Sequence, residues 1–181
     1  MIVDFTVQGE PFGKQRPRLS TVNGFSMAYT PQKTAVKEAI VRGEYERQCG
    51  NAYFPEGAVS VMLLFSLSIP ASASKRRRQM MLDGFIHPTK KPDIDNATKL
   101  ILDSLNGVAW KDDKQVCFQC AMKIYSEQPC VRVIIEGKAE GEEYYDGSLR
   151  GLYSRSLHRY WSFGIQLVSQ ERTERGYQEQ E

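Results

Sequence analysis

The sequence lacks the features that mark several common protein classes. It has no run of about 20 apolar residues, the length that a helix needs to cross a bilayer. Its first ten residues, MIVDFTVQGE, include two acidic side chains and alternate in polarity, unlike a secretory signal peptide. We therefore predict a cytoplasmic protein with no membrane partner.

Histidine and cysteine are also scarce, with 2 and 4 copies among 181 residues. Neither His87 nor His158 lies in a recognisable motif, which gives little support to Ser/His or Cys/His catalysis. Cys117 and Cys120 fall in a predicted strand, where an odd offset sends side chains to opposite faces. Cys49 and Cys130 show no ligand spacing. We predict free structural thiols rather than a zinc site.

The charges nearly balance, with 24 Lys/Arg, 22 Asp/Glu and a net charge of +2. Residues 1–137 hold 18 basic and 14 acidic side chains, whereas residues 138–181 hold 6 and 8. A mildly basic body can bind a polyanion, although the total does not require it. Because the composition changes after Gly137, we predict one domain over residues 1–137 and a C-terminal extension of unknown role over residues 138–181.

Sequence periodicity predicts an α+β fold, with a mixed sheet of about four or five strands and two or three helices. MIVDFTVQG alternates like a strand, and GAVSVMLLFSLSIP is typical of a central strand. Asn23-Gly24 predicts a hairpin. KQVCFQCAMKIYS and CVRVIIEG are two further predicted strands. In the first of these we expect one shared face for Val116, Phe118, Cys120, Met122 and Ile124.

Three segments carry helix signals. In the first, we expect Thr30 as N-cap, Pro31 as the first helical residue and Gly50 as the end. We expect its apolar residues to include Ala35 and Ile40. The second starts near Ser72, and the third starts near Asn96 and ends at Gly107. The expected buried side of the third is Ala97, Ile101, Ser104/Leu105 and Val108.

The acidic residues cluster in KPDIDNATKLILDSLNGVAWKDDKQV. Asp93 and Asp95 are two apart, so in an extended approach to the helix both carboxylates would point the same way. Lys99 lies one turn after Asp95, and the pair Asp112 and Asp113 follows the helix. Several carboxylates without His or Cys ligands suit Mg²⁺, which can activate water for phosphodiester hydrolysis. The alternative interpretation is solvated loop acids and a helix cap.

Basic residues form three groups along the sequence, and the last group adjoins Asp93. Lysine and arginine side chains that contact phosphates position a nucleic acid without reading its bases. Beside an acidic metal cluster we favour DNA contact over a merely solvated surface. The candidate DNA-binding residues are Lys14, Arg16, Arg18, Lys75, Arg76, Arg77, Arg78, Lys90 and Lys91.

The segments RPR, YTP, KPDIDNATKLILDSLNG and KDDKQV occur in this order within residues 1–137. In them the sequence resembles the RusA-type Holliday junction resolvases, often carried by phages and prophages. The resemblance implies catalytic, metal-binding roles for Asp93, Asp95 and Asp113, with Lys99 assisting catalysis. It also implies a homodimer that uses Mg²⁺, with Mn²⁺ as a substitute. That homodimer would nick two opposed strands of a four-way DNA junction in recombination and repair.

From the residues alone, the choice between Asp112 and Asp113 and the choice of function both stay open. Strand pairing that began before Asp112 would put Asp112 on the face of Val116 and turn Asp113 away, but a loop there would remove this argument. The function has alternatives as well. These are a nuclease for flaps or other branched DNA, a junction-binding protein that does not cleave, and a protein that binds partners through acidic loops.

Overall fold

A four-stranded mixed sheet forms the centre of the part of the chain that the computed structural model describes. That part is the backbone of residues 1–16, 18–22, 25–29 and 31–137, with side chains for residues 1–16 and 31–137. The strands are β1 (Ile2–Gln8), β4 (Val59–Ser68), β5 (Val116–Ser126) and β6 (Cys130–Gly137), in the order β1-β6-β4-β5. Strands β2 (Arg18–Val22) and β3 (Phe25–Tyr29) form a separate antiparallel pair. The predicted Thr30 cap and the extension over residues 138–181 lie outside the described residues.

The connections explain the mixed character of the sheet. β4 runs antiparallel to β6 and parallel to β5. A parallel neighbour needs a crossover, and helices α2 (Lys75–Leu82) and α3 (Ile94–Leu105) lie in the segment that joins β4 to β5. With α1 (Gln32–Cys49), the predicted α+β class is confirmed. Among the described helices, none is both long and apolar enough to cross a bilayer.

The helix boundaries differ from the predictions at all three starts. Pro31 occupies the N-cap of α1 rather than its first helical position. Helix α2 begins after Ser74, not near Ser72, because the Ser74 hydroxyl accepts a hydrogen bond from the Arg77 N–H (3.4 Å). Helix α3 begins two residues before Asn96, with Asp93 at its N-cap. The end of α1 at Gly50 is confirmed, and that glycine has a φ of 61°.

The core lies between one face of the sheet and helices α1 and α3. Phe5 of β1 meets Tyr45 of α1 edge to face, with 5.3 Å between the ring centroids. Helix α3 contributes the predicted Ala97, Ile101 and Leu105, all buried. Other members of this core are Val41, Phe54, Val61, Leu63, Phe65, Trp110, Val133 and Ile135.

The buried side of α1 does not include the apolar residues Ala35 and Ile40. Its buried residues are Thr34, Val41 and Tyr45, whose spacings of seven and four place them on one side of a helix. Ala35 is exposed and Ile40 is 41% exposed, because they lie on the two flanks of the helix, each about a third of a turn from the buried residues. The spacing of the apolar residues in this segment does not by itself show which side of the helix packs against the sheet.

A bulge in β5 separates Val116 from the other four residues of the predicted shared face. Val59 pairs with Val116, but the next residue, Ser60, pairs with Phe118, so Cys117 is the extra residue. The bulge shifts the alternation by one position. The β5 residues that pack against the core are therefore Val116, Ala121 and Tyr125.

Candidate active site

Asp93 and Asp95 both lie at the N-terminus of α3. Asp93 is the N-cap and Asp95 is in the first turn, and both are exposed. The Asp93 carboxylate caps no backbone N–H and accepts only a long bond (3.4 Å) from the Asn96 side chain. The unpaired backbone N–H groups at a helix N-terminus attract negative charge. Lys99, also exposed, follows one turn later.

A lysine that the sequence did not single out holds the segment before Asp93. Lys123 of β5 donates to the carbonyl oxygens of Lys90 (2.6 Å) and Pro92 (2.9 Å). Lys90 in turn donates to the Ser68 carbonyl (3.1 Å) and lies over the Tyr125 ring. These contacts fix the start of α3 against the far ends of β4 and β5. The only sequence signal was a charge in an otherwise weakly polar strand.

The N-terminal loop covers the first turn of α3. The Lys14 N–H donates to the Asn96 carbonyl (2.9 Å), and a Cβ on Gly13 would lie 3.1 Å from Pro92 Cβ. The Lys14 ammonium pairs with Asp103 and with Glu38 (3.0 Å). Burial would lower the pKa of Lys14, but the hydrogen bonds to both carboxylates outweigh it and raise the pKa. The Lys14 side chain thus fastens this loop to α1 and α3.

The pair Asp112 and Asp113 does not lie in a strand, so the parity argument does not apply. A short 3-10 helix spans Asp113–Gln115, and the Asp112 carboxylate caps it by accepting from the Lys114 N–H (3.0 Å). The fully buried Trp110 donates its indole N–H to Oδ1 of Asp113 (3.0 Å). The carboxylate of Asp112 thus caps its own turn. The carboxylate of Asp113 is exposed, and the buried Trp110 orients it.

A buried indole N–H requires an acceptor. The spacing Trp110-x-x-Asp113 was therefore a signal that the sequence carried. Strand β5 begins just after this turn, so the turn lies at the end of the sheet where β5 starts.

One chain does not bring Asp113 to Asp93 and Asp95. Asp113 precedes the first residue of β5, whereas Lys90, three residues before Asp93, contacts Ser68 at the other end of β4. The 12 residues of α3 connect these ends and span about 18 Å. In the residues with described side chains, no group of three or more His, Cys, Asp or Glu could hold a metal ion. The single carboxylate cluster expected from the sequence is therefore not formed within one chain.

The basic candidates divide into free and paired side chains. Lys75, Arg76 and Arg77 are exposed and form no ion pair with any described residue. Arg78 pairs with Glu127, and its Nε donates to that carboxylate (3.1 Å). Arg16 and Lys91 are exposed, and the side chain of Arg18 lies outside the described residues.

Comparison with known proteins shows the family of this chain. The family model described as endodeoxyribonuclease RusA matches residues 8–136. The chain belongs to the RusA endodeoxyribonuclease family. An uncharacterized protein YqaN of Bacillus subtilis (strain 168) is 35% identical over 139 residues, which cover 74% of this chain and 94% of the relative.

The RusA match spans both acidic segments, Lys99, Trp110 and Lys123, and it ends one residue before the end of β6. Membership therefore supports nuclease activity for this domain. Residues 138–181 lie beyond the match.

The two acids of the second pair should respond differently to neutralisation. The pKa of Asp112 is lowered because the carboxylate accepts from the Lys114 backbone N–H, with the Lys114 side chain adding to the effect. A lowered pKa stabilises the fold above the unfolded-state pKa, and this contribution is lost as the pH falls through the folded-state pKa. We expect Asp112→Asn to lower the melting temperature slightly at neutral pH, with no difference in strong acid, and to keep cleavage.

Asp113→Asn should lose cleavage while its melting temperature stays close to that of the wild type. Melting curves at pH 7 and pH 2, beside cleavage rates, check both variants. If Asp113→Asn cleaved and Asp112→Asn did not, Asp112 rather than Asp113 would be the acid needed for cleavage.

The free cations of α2 should contribute phosphate contacts. Arg76→Ala with Arg77→Ala should weaken binding to all DNA and flatten the plot of log affinity against log salt by about two units. The matched control is Arg78→Ala, whose partner Glu127 competes with phosphate, so its slope should change less. Fluorescence anisotropy over a salt series measures both slopes. Equal slopes in the wild type and the double variant would make this surface a solvated helix face.

Proposed function

We propose that this chain is a Mg²⁺-dependent endonuclease that works as a homodimer and resolves four-way DNA junctions by paired nicks, in recombination and repair. The observation that carries the proposal is the RusA-family match over residues 8–136, which includes all four proposed catalytic residues. These are Asp93, Asp95, Asp113 and Lys99.

The donor chemistry fits a hard divalent cation. The three proposed ligands are exposed carboxylates, and Mg²⁺ prefers oxygen ligands and keeps several waters. Bound there, the ion would activate a water and stabilise the leaving oxygen of a phosphodiester. Mn²⁺ has the same ligand preference and should substitute.

The residues of the chain have separate tasks in this proposal. Trp110 donates to Oδ1 of Asp113, which fixes the carboxylate and leaves Oδ2 for a ligand. Lys123 anchors the segment that carries Asp93. Lys99 lies on the face of Asp95 one turn on, where its ammonium can offset the charge of a bound phosphate. Arg16, Lys75, Arg76, Arg77 and Lys91 supply exposed positive charge for the DNA backbone.

A homodimer explains why the acids of one chain stand apart. The two acidic segments lie at opposite ends of the sheet, so a site with all three carboxylates takes Asp93 and Asp95 from one chain and Asp113 from the other. Two chains then build two equivalent sites, which matches two cuts related by a two-fold axis. Helix α1 offers an apolar contact surface, because Val36 and Ile40 on successive turns are 52% and 41% exposed.

A panel of labelled DNAs tests the activity. We expect Mg²⁺ or Mn²⁺ to support cleavage of four-way junctions, with none in EDTA and little on linear duplex. Preferential removal of single flaps would instead favour a flap nuclease. Tight junction binding without cleavage in either metal would favour a binding protein, and the absence of any salt-dependent DNA affinity would refute DNA as the substrate.

A further inference from the structure

The most exposed large apolar side chain in the described residues is Phe85, which is 72% exposed. It follows the basic helix α2 and precedes the segment that leads to Asp93. The ring is largely solvated, and no described aromatic ring stacks on it.

The turn that carries Phe85 is ordered by backbone hydrogen bonds. The Gly84 N–H donates to the Met81 carbonyl (3.2 Å) and the Phe85 N–H to the Met80 carbonyl (2.9 Å). With a φ of 78° at Gly84, this is a Schellman motif. In this motif the side chain after the glycine often contacts the one five residues earlier, which here is Met80, itself 38% exposed. The hydrogen bonds of the motif fix the backbone at Phe85, and most of the surface of its ring stays uncovered.

Two arginines lie on the side of α2 that carries Met80, whereas the nearest acid in sequence, Asp83, accepts a hydrogen bond from the Gln79 side chain (2.9 Å). Met80 is four residues after Arg76 and three after Arg77, so all three lie on one exposed side of α2. Neither arginine pairs with a carboxylate among the described side chains. The apolar patch of Met80 and Phe85 is too small for a stable protein interface, which buries about 800 Å² on each partner. Positive charge around a single aromatic ring fits a nucleic acid with an exposed base.

We propose that Phe85 stacks on a base exposed at a DNA branch point while Arg76 and Arg77 contact the adjacent phosphates. In continuous duplex DNA the base faces are covered by their neighbours, whereas a branch point leaves faces open for an aromatic side chain. Phe85 thereby contributes preference for branched over linear DNA. This inference rests on the proposed function and specifies how the branched substrate is recognised.

The test compares binding to a four-way junction and to a duplex of equal length, both in EDTA. Phe85→Ala and Phe85→Leu should each lower junction affinity about tenfold, as expected when one base–aromatic stack is lost. Their duplex affinity should be unchanged, so that the ratio of the two affinities falls. Phe85→Trp should keep the ratio, because its ring can stack. Tyr53→Leu, which removes an exposed aromatic ring outside this segment, is the matched control, with an unchanged ratio.

Each other outcome counts against the inference. Wild-type junction affinity in Phe85→Ala, or in Phe85→Leu, would mean that no aromatic stack forms. Equal losses on both DNAs would indicate a general structural effect, and a changed mass in light scattering would place Phe85 at a contact with a second copy. A wild-type protein with no preference for the junction would overturn the proposed function itself, a result that is visible before any variant is tested.

Discussion

Asp95→Asn is expected to abolish junction cleavage without weakening junction binding. The substitution keeps the shape of the side chain and removes one negative charge from the exposed end of α3. Cleavage should fall at least about a hundredfold, the size seen when one group that stabilises a transition state is removed. Binding should hold or improve, because carboxylates near a phosphate repel it in the absence of metal.

The control for this variant needs an acid away from the site. Asp103 is unsuitable because it pairs with Lys14, so its loss would free the N-terminal loop. Glu46→Gln, at an exposed position on α1, is the better match and should cleave like the wild type. Gel-shift binding and single-turnover cleavage measure the two effects separately. The proposed site would be wrong if three variants all cleaved at the wild-type rate: Asp93→Asn, Asp95→Asn and Asp113→Asn. Their carboxylates would then be solvated loop acids.

A heterodimer of Asp95→Asn with Asp113→Asn is expected to regain activity that neither homodimer has. If each site takes its acids from both chains, one site of the heterodimer collects both substitutions and the other is intact. The intact site should cut one strand, which gives nicked junctions in place of fully resolved products. Co-expression with two affinity tags and sequential purification isolates the mixed species.

The converse heterodimer is the matched control. It pairs a wild-type chain with a chain that carries both substitutions. With sites shared between chains, each site then has one defective half and the protein should be inactive. With sites inside single chains, this control would nick and the first heterodimer would be inactive, which would refute the shared arrangement.

The sequence predicted the strands and helices well because their apolar patterns are strong. β4 is mostly apolar and buried over nearly its whole length, as expected for a central strand, and α3 shows a clear apolar side that includes Ala97 and Ile101. The placement of Asp93 and Asp95 at the start of a helix, with Lys99 one turn on, is likewise a local property. Local spacing therefore identified three of the four proposed catalytic residues without any tertiary information.

The features that the sequence could not predict depend on contacts between distant segments. The bulge at Cys117 puts Val116 on the opposite face from Phe118, and no residue type at that position indicates it. The pairing of Lys14 with Asp103 and Glu38, and the contact of Lys123 with the Pro92 carbonyl, join residues far apart in the chain. Likewise, only the parallel alignment of β4 and β5 shows that Asp113 lies at the opposite end from Asp93.

Mapping the incisions that the wild-type protein makes in a four-way junction tests the central claim most directly. The junction carries a different label on each strand, and the products of a single turnover in Mg²⁺ are resolved on a denaturing gel. We expect two incisions, on opposed strands and at positions related by the two-fold axis of the junction, and none in EDTA. Incision of one strand alone, incisions on adjacent strands, or an intact junction in Mg²⁺ would contradict a paired-nicking homodimer.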